Sequence, residues 1–206
     1  MKALLINGSP NADGCTFTAL FEVAEMLKKN GVDTEIIQVG HKIIRGCADC
    51  QKCKETNKCV FDDIVNEVGS RLSECAGIVI GSPVYFAGVN GSLKSFLDRL
   101  YYSTFACDKT MIVGAAVVSA RRGGCTSAFD ELNKFFTISG MPVASSQYWN
   151  MVHGNEPEDV IKDLEGMQIM RTLGQNMAFL MKSIALGKQK FGLPNREPRV
   201  FTNFID

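Results

Sequence analysis

The amino-acid sequence predicts an α/β fold in which a parallel sheet is covered by helices on both faces. Short, almost continuously apolar segments alternate along the chain with longer segments whose apolar residues have helical spacing. Strands of this kind are typical of parallel sheets, because both faces of such a sheet are buried. Polar, glycine-containing segments follow several of the apolar runs, as expected for loops at the carboxyl ends of the strands. Right-handed crossovers then give a doubly wound, three-layer sandwich.

Length and composition favour a single domain over residues 1–206 and argue against several classes of partner. Lys plus Arg and Asp plus Glu are both 22, so the zero net charge predicts no attraction to nucleic acid or to an anionic membrane. The first apolar run is too short for a signal peptide, and no apolar stretch is long enough to cross a bilayer. We therefore expect a cytoplasmic protein. Its eight cysteines are then expected to bind metal, to react or to be buried, rather than to form disulfides.

The first half of the chain is predicted to contain three strands. Residues 3–6 and 77–81 are short apolar runs, and residues 32–39 alternate after the helix-ending pair Asn30-Gly31. Helices are predicted between these strands and after them, where apolar residues share one face: one reaching Lys29, one over 62–72 and one over 92–102. A cysteine-rich insertion at about 41–60 lacks apolar periodicity and is predicted to be a loop.

The second half is predicted to add two strands and two helices. The predicted strands are 111–118 and 142–148, and the helices are about 126–138 and about 156–186, with Gly166 and Gly174 as interruptions of the last one. A tail over 188–206 has no clear pattern. Five strands with a phosphate-type loop after the first suggest the flavodoxin-like order 2-1-3-4-5. A receiver domain is not favoured, because it would need acids after the first strand and an aspartate after the third.

The loop between the first strand and the first helix has the features of an anion site. The free N–H groups and the dipole of a helix N-terminus favour an anion there. The loop and the start of the helix add neutral donors, namely Ser9, Asn11, Thr16 and Thr18. The loop has no lysine and no GxGxxG pattern, so it suits one terminal phosphate rather than a triphosphate or a pyrophosphate. A plain strand-to-helix turn with a Ser or Thr cap explains the same residues equally well.

Three segments resemble the NAD(P)H-dependent FMN reductase family, which has the flavodoxin-like fold. The segment Gly8-Ser9-Pro10-Asn11, with Gly14-Cys15-Thr16 after it, resembles the family's phosphate loop. The strongest match is Gly81-Ser82-Pro83-Val84-Tyr85-Phe86 followed by the residues GSLKSFLDR at 91–99. Gly123-Gly124 fits the third flavin-facing loop, and later segments extend the resemblance over nearly the whole chain. Family members often carry Arg at the position of Asn11 and Asn at that of Cys15, so here the phosphate would lose a charged partner.

The resemblance implies an FMN site formed by three loops. The phosphate would contact Ser9, Asn11, Cys15, Thr16 and Thr18; the ring and ribityl chain would contact Pro83, Val84, Tyr85 and Phe86; and the far side of the ring would contact Ser119, Arg121, Arg122, Gly123 and Gly124. The cofactor carries the redox chemistry and the protein sets its position and potential, so no catalytic residue is predicted. Without the resemblance, Tyr85-Phe86 would be interpreted as core packing and Arg121-Arg122 as a solvated loop.

The predicted loop 41–60 carries a compact set of cysteines: Cys47, Cys50, Cys53 and Cys59. The spacing fits a zinc ribbon poorly and resembles that of a bacterial ferredoxin with a [4Fe–4S] cluster. It also resembles the cysteine motif of the iron–sulfur flavoproteins, which share the FMN-binding fold. The residues themselves leave three alternatives open: an iron–sulfur cluster, a zinc or redox-thiol site, and inert cysteines. Cys75, Cys107 and Cys125 are predicted to be structural, although a reactive role for Cys125 is open.

The function that the resemblance implies is an FMN-dependent oxidoreductase that passes electrons from NAD(P)H to a small acceptor such as a quinone, flavin, azo or nitro compound. The alternative is an iron–sulfur flavoprotein that carries electrons from a ferredoxin-like donor, and a non-enzymatic phosphate-ligand or zinc-binding module is a third hypothesis. A homodimer or homotetramer is also implied.

Two features near the predicted fifth strand carry weaker signals. Trp149 and His153 are predicted to follow this strand, and His153 would protonate a substrate, contact a neighbouring subunit's flavin or serve as a loop hydrogen-bonding residue. Asp163 and Glu165 are predicted to lie on the last helix, in solvent or at an interface.

Overall fold

A single parallel sheet organises the computed structural model, which describes residues 1–198 and 200–204. The strands have the order β2-β1-β3-β4-β5, so the predicted order is confirmed. Every neighbouring pair is parallel. The strands are β1 (Lys2–Asn7), β2 (Asp33–Gln38), β3 (Gly77–Pro83), β4 (Val113–Ala120) and β5 (Met151–His153).

Helices cover both faces of the sheet, as the fold class predicts. They are α1 (Cys15–Lys29), α2 (Cys53–Thr56), α3 (Ile64–Gly69), α4 (Gly91–Ser103), α5 (Cys125–Ile138), α6 (Pro157–Lys162) and α7 (Leu164–Phe191). Leu4 and Ile6 of β1 pack in the core under α3, α4 and α5, whereas Leu5 packs in the core under α1 and α7. This alternation follows from the two-residue period of a strand. Among the described residues, no helix has both the length and the apolar character needed to cross a membrane.

The fifth strand lies later in the chain than predicted. Within the predicted segment 142–148, Val143 forms only an isolated bridge with Gly114. The chain then leaves the sheet, and the side-chain Nδ2 of Asn150 donates to the carbonyl of Ala116 (3.0 Å) where a strand would place a backbone N–H. Pairing resumes at Met151, so Trp149 precedes β5 and His153 lies within it. The prediction that both residues follow the strand was therefore wrong.

The last helical region is interrupted at Asp163 and not at either predicted glycine. Asp163 lies between α6 and α7, and its Oδ1 accepts a hydrogen bond from the N–H of Gly166 (2.9 Å), which caps α7. Gly174 lies within the continuous helix, where it packs closely against α1. The helix reaches Phe191, so the segment without regular structure begins later than the predicted 188.

Two further predicted boundaries differ from the structure. The helix predicted over 62–72 spans only Ile64–Gly69, because Asp63 caps it through a hydrogen bond from Val65 N (3.0 Å), and a short 3-10 turn follows at Leu72–Glu74. The predicted loop 41–60 contains one helical turn, α2.

Candidate functional site

The segments that follow β1, β3 and β4 meet at the carboxyl-terminal edge of the sheet. The N–H of Gly8 donates to the carbonyl of Gly81 (2.8 Å), and the N–H of Val84 donates to the carbonyl of Ser119 (2.9 Å). Beyond β4, the N–H of Gly154 donates to the carbonyl of Ala120 (3.1 Å). Ligands of open α/β sheets bind at this edge, at the point where the strand order reverses.

Asn7 shapes the loop after β1, a role that the sequence reasoning missed. Its Oδ1 accepts from the N–H of Ser9 (3.1 Å), and its Nδ2 donates to the carbonyl of Ala12 (3.3 Å). The hydroxyl of Ser9 in turn accepts from the N–H of Asn11 (3.1 Å). The position of Asn7 directly after an apolar strand is the signal that could have revealed it, since asparagine side chains commonly fix turns.

The N-terminus of α1 presents backbone donors beside this loop. The first backbone hydrogen bond of the helix runs from Thr18 N to Gly14 O (3.0 Å), so the N–H groups of Cys15, Thr16 and Phe17 precede it. No side chain among the described residues caps the N-terminus of this helix, and the first turn of the helix contains no Asp or Glu. Such a terminus binds an anion well because the N–H groups and the helix dipole act together.

The predicted hydroxyl donors are arranged in two ways. Thr16 and Ser119 are buried, with 1% and 4% exposure, and their hydroxyl oxygens lie 2.8 Å apart, so this pair joins α1 to the end of β4. The Thr18 hydroxyl donates to the carbonyl of Gly14 (3.2 Å). Asn11, in contrast, lies exposed on the loop. The hydroxyls of Thr16 and Thr18 are therefore already engaged within the protein, whereas the side chain of Asn11 and the first backbone N–H groups of α1 remain as donors at this helix end.

Cys15 is a neutral group at the start of α1. Its sulfur lies 3.7 Å from the carbonyl oxygen of Gly154, to which the thiol can donate a hydrogen bond. Burial raises the pKa of this thiol, and the nearby carboxylates, with Asp159 first among them, raise it further. We therefore expect Cys15 to act as a thiol, and not as a thiolate, toward an anion at this helix end.

The segment after β3 presents two aromatic rings on a strained turn. Tyr85 and Gly88 exchange backbone hydrogen bonds (2.9 and 3.0 Å) around Phe86 and Ala87. These two central residues have φ angles of 51° and 61°, which non-glycine residues rarely adopt. Tyr85 and Phe86 are both exposed, although large aromatic side chains favour burial. Backbone strain of this kind is often found at functional sites, and here it lies beside two exposed rings. Pro83 and Val84 lie half-buried at the base of the turn.

The segment after β4 lies against the aromatic turn. Gly124 has a φ of +91°, and a Cβ there would stand 2.9 Å from Ala87 Cα and 3.0 Å from Val84 Cγ1. Arg121, Arg122 and Gly123 are exposed next to this contact. Helix α5 then begins at Cys125, and no side chain among the described residues caps its N-terminus. The structure thus brings two helix N-termini and two basic side chains to the same edge.

A second group of side chains lies at the end of β5. The Sγ of Cys125, which is buried, stands 3.9 Å from His153 Nε2. His153 is oriented by Asp163, whose Oδ2 accepts from the backbone N–H of His153 (2.8 Å) and lies 3.8 Å from its Nδ1. Burial raises the pKa of the Cys125 thiol. Asp163, predicted to lie on the last helix in solvent or at an interface, instead precedes α7 and links β5 to that helix.

The four cysteines of the 41–60 loop line one small cavity, together with Phe61, Arg99 and Tyr102. Cys47 and Cys50 are exposed, whereas Cys53 and Cys59 are half-buried. Burial raises the pKa of the Cys53 thiol, and the charges of the other three thiols raise it further, which reflects their proximity. Three non-glycine residues in the loop have positive φ: Asp49 (48°), Gln51 (61°) and Asn57 (54°).

The donor set at this cavity suits a soft metal centre. Cysteine thiolates bind both iron–sulfur clusters and structural zinc, so the residue types fit either group. In the part of the chain that the structure describes, no three His, Cys, Asp or Glu side chains stand at metal-binding spacing. The thiols share a cavity without converging on one point.

Arg99 is a further residue of this cavity that sequence reasoning missed. It is 1% exposed, and its Nε donates to Cys59 Sγ (3.2 Å). The signal was available, because Arg99 lies three residues after Phe96 on the buried face of α4. An arginine at such a position must have partners, since an unpaired charge is rarely buried.

Comparison with known proteins places this geometry in a family. A family model described as NADPH-dependent FMN reductase matches residues 1–156. An iron–sulfur flavoprotein of Methanocaldococcus jannaschii is 33% identical over 191 residues, which cover 89% of this chain and 99% of that protein. An iron–sulfur flavoprotein of Methanosarcina thermophila is 24% identical over 194 residues, covering 92% and 100%. A WrbA-like flavodoxin structure from Agrobacterium tumefaciens has a TM-score of 0.63 at 15% identity, covering 88% of this chain and 98% of that one, which shows a shared fold.

Proposed function

The chain belongs to the NADPH-dependent FMN reductase family, and from that premise we propose that it is an FMN-dependent oxidoreductase. The observation that carries this proposal is the meeting of three segments at one edge of the sheet. They bring together the uncapped N-termini of α1 and α5 and the exposed aromatic turn at 85–88. A phosphate at one end and a planar ring at the other would match these features.

The chain's own residues would bind and orient the cofactor. The phosphate would accept hydrogen bonds from the first N–H groups of α1, with Ser9 and Asn11 shaping the loop over it. Tyr85 and Phe86 would cover the ring, and Arg121 or Arg122 would stabilise negative charge on it. When bound, FMN supplies one- and two-electron redox chemistry.

We further propose that Cys47, Cys50, Cys53 and Cys59 hold a [4Fe–4S] cluster, which would make the protein an electron carrier served by a ferredoxin-like donor. Two observations support this. The four thiols line one cavity, and the relative that is 33% identical over nearly its full length is an iron–sulfur flavoprotein. A zinc ion at the same thiols is the competing occupant, because the donor set fits both.

Direct reduction by NAD(P)H is the second candidate function. The description of the matching family supports it, since it names NADPH as the reductant. In that case a small acceptor such as a quinone, flavin, azo or nitro compound would take the electrons. With either function, we propose that the chain forms a homodimer or homotetramer in which a neighbouring subunit completes the flavin pocket.

Anaerobic purification followed by cofactor analysis tests both functions. We expect about one FMN per chain from the visible spectrum, and about four iron and four sulfide ions per chain, the content of one [4Fe–4S] cluster. A protein that stays colourless after addition of FMN would contradict the oxidoreductase proposal. Zinc in place of iron after anaerobic reconstitution would contradict the cluster. Stopped-flow mixing with NADH, NADPH or a reduced ferredoxin would then show which donor bleaches the flavin.

A further inference from the structure

One buried side chain holds the cysteine loop from outside it. Arg99 of α4 donates to Cys59 Sγ through Nε (3.2 Å), to Arg45 O through Nη1 (3.3 Å) and to Phe61 O through Nη2 (3.1 Å). The same guanidinium forms two hydrogen bonds with the carboxylate of Asp63 (2.7 and 3.0 Å). These partners lie 36 to 54 residues away in sequence. One of them is the last of the four cysteines, and the others flank the segment that carries the cysteines.

The chemistry of arginine suits this arrangement. A guanidinium has five N–H donors in a fixed plane. Its two terminal nitrogens can therefore bond a carboxylate bidentately along one edge, while Nε–H points in another direction. Lysine has a single compact ammonium and cannot reproduce this set of bonds. The ring of Phe61 lies close to two guanidinium groups, with its centroid 4.9 Å from Arg45 Cζ and 5.1 Å from Arg99 Cζ. The two ends of the loop are therefore fixed to α4 and to each other.

We propose that Arg99 is a positioning residue, which fixes the cysteine loop and tunes the redox potential of the group that its cysteines bind. This rests on the cluster that we proposed above. Hydrogen bonds to the sulfur ligands are among the factors that set the potential of an iron–sulfur cluster. The N–H of Arg99 favours the more negative, reduced state of a centre bound by Cys59. Loss of that donor is expected to shift the midpoint potential to a more negative value.

Asp63 provides a variant with the opposite expected sign. Its carboxylate offsets the charge of Arg99, so Asp63→Asn leaves that positive charge less compensated and should shift the potential to a more positive value. With its oxygen at the place of Asp63 Oδ1, asparagine keeps the acceptor for the N–H of Val65, which caps α3, and for Nη2 of Arg99. The bond from Nη1 of Arg99 to Oδ2 is lost. A purely structural role for the Arg99–Asp63 pair would not give shifts of opposite sign.

Spectroelectrochemical titration of the anaerobically purified protein tests the proposal. We expect Arg99→Gln to lower the midpoint potential of the cluster, Arg99→Lys to lower it less, and Asp63→Asn to raise it. Arg71→Gln is the matched control, because Arg71 pairs with Glu35 away from the cavity, and it should leave the potential unchanged. Shifts of the same sign in Arg99→Gln and Asp63→Asn, or no shift in Asp63→Asn, would overturn the tuning role.

A measurement on iron-free protein tests the positioning role separately. Lys52, Lys54 and Lys58 are exposed trypsin sites within the loop. We expect trypsin to cut there about tenfold faster in Arg99→Gln than in the wild type, because cleavage follows the population of the opened loop, and Arg71→Gln should match the wild type. Equal rates in all three proteins would overturn the positioning role. A wild type that takes up no iron would contradict the cluster proposed above, while the cleavage rates would still decide the role of Arg99.

Discussion

Among single residues, Gly124 combines a positive φ with a close contact between two loops of the candidate site. Its positive φ and its contact with Ala87 Cα leave no room for a Cβ. We expect Gly124→Ala to lower the free energy of unfolding by about 1–3 kcal/mol, because it adds backbone strain and a clash, and to weaken FMN binding by separating two of the loops. Urea denaturation and a flavin titration measure both effects.

Gly123 is the control for this substitution. It is adjacent, and a Cβ there would meet nothing within 4 Å. Gly123→Ala should therefore change the free energy of unfolding by less than about 0.5 kcal/mol. Equal losses in the two variants would show that the contact with the 85–88 turn is not what requires glycine.

The cysteines are expected to divide into two classes of reactivity. Cys47 and Cys50 are exposed, whereas Cys75 and Cys125 are buried, and burial raises the pKa of both buried thiols. In the iron-free native protein at about pH 8, iodoacetamide should modify the buried pair at least about tenfold more slowly, because the thiolate is the nucleophile. Peptide mass spectrometry measures the rates, and unfolding in urea should equalise them. Labelling of Cys125 as fast as that of Cys50 would instead indicate activation by His153.

The residues that shape the site were harder to predict than the residues that line it. Ser9, Tyr85 and Gly124 could be named from local sequence, because turn chemistry and a family motif mark them. Asn7 and Arg99 had weaker local signals, namely the position of Asn7 directly after an apolar strand and that of Arg99 on the buried face of α4, and neither signal identifies the partners of the side chain. Arg99 bonds to groups at least 36 residues away, a distance that no local pattern conveys.

Between helices, the contact of α1 with α7 depends on a glycine. A Cβ at Gly174 would stand 2.7 Å from Met26 Cβ and 3.0 Å from the carbonyl of Val23. We expect Gly174→Ala to lower the free energy of unfolding by roughly 1 kcal/mol or more, because overpacking outweighs the better helix propensity of alanine. Gly187→Ala in the same helix meets nothing within 4 Å and should raise it by about 0.5–1 kcal/mol. A gain in stability for both variants in urea denaturation would contradict this account.

Glu35 of β2 forms ion pairs with Lys2 of β1 and with Arg71. A small part of the free energy of unfolding therefore depends on pH. Hydrogen bonds from Arg71 and Lys2 hold the pKa of this carboxyl below its usual range. A carboxyl with a lowered folded pKa stabilises the fold above its unfolded pKa, and this contribution is lost as the pH falls through the folded value. Glu35→Gln should therefore destabilise the protein at pH 7 by less than about 1 kcal/mol, since the pairs are partly exposed, with the difference vanishing in acid.

Denaturation curves of the wild type and of Glu35→Gln across this range measure the effect. Glu25→Gln, in the exposed pair with Lys28, is the control and should show little change. A difference that grows toward low pH would have the wrong sign for this mechanism.

The fifth strand shows the limit of periodicity as a predictor of elements. The segment 142–148 has strand-like composition, yet pairing of β5 begins at Met151. The side-chain Nδ2 of Asn150 donates to the carbonyl of Ala116, a long-range bond that periodicity does not predict. The other four strands were predicted within a few residues, because β1, β3 and β4 are short apolar runs typical of a buried sheet and β2 alternates as a strand does.

For the molecule as a whole, the topology followed from the sequence because alternating strands and helices leave few right-handed arrangements. The arrangement of the cysteine loop did not follow, since the loop has no apolar period and depends on α4 for its position.

Ligand-linked stability tests the whole site at once. Saturation with FMN at about 100 times its Kd should stabilise the folded state by about 2.7 kcal/mol, which for a chain of this length corresponds to an increase in Tm of roughly 5–10 °C. Riboflavin, which has no phosphate, should give a smaller increase at the same concentration if the N-terminus of α1 binds the phosphate. Differential scanning calorimetry measures both, and equal increases would contradict phosphate binding at this helix.

The clamp formed by Arg99 has a consequence for how this chain can change. The segment between Arg45 and Asp63 leaves the β2-to-β3 crossover and returns to it, and both of its ends are bonded to the same guanidinium. Loop closure costs little more entropy as a loop lengthens, so the segment can gain or lose residues while its anchors stay in place. We therefore expect this segment to be more variable in length than the sheet and the helices that carry it. Grafting a shorter segment without cysteines between the same anchors is expected to yield a folded chain that lacks the four thiols of the 41–60 loop.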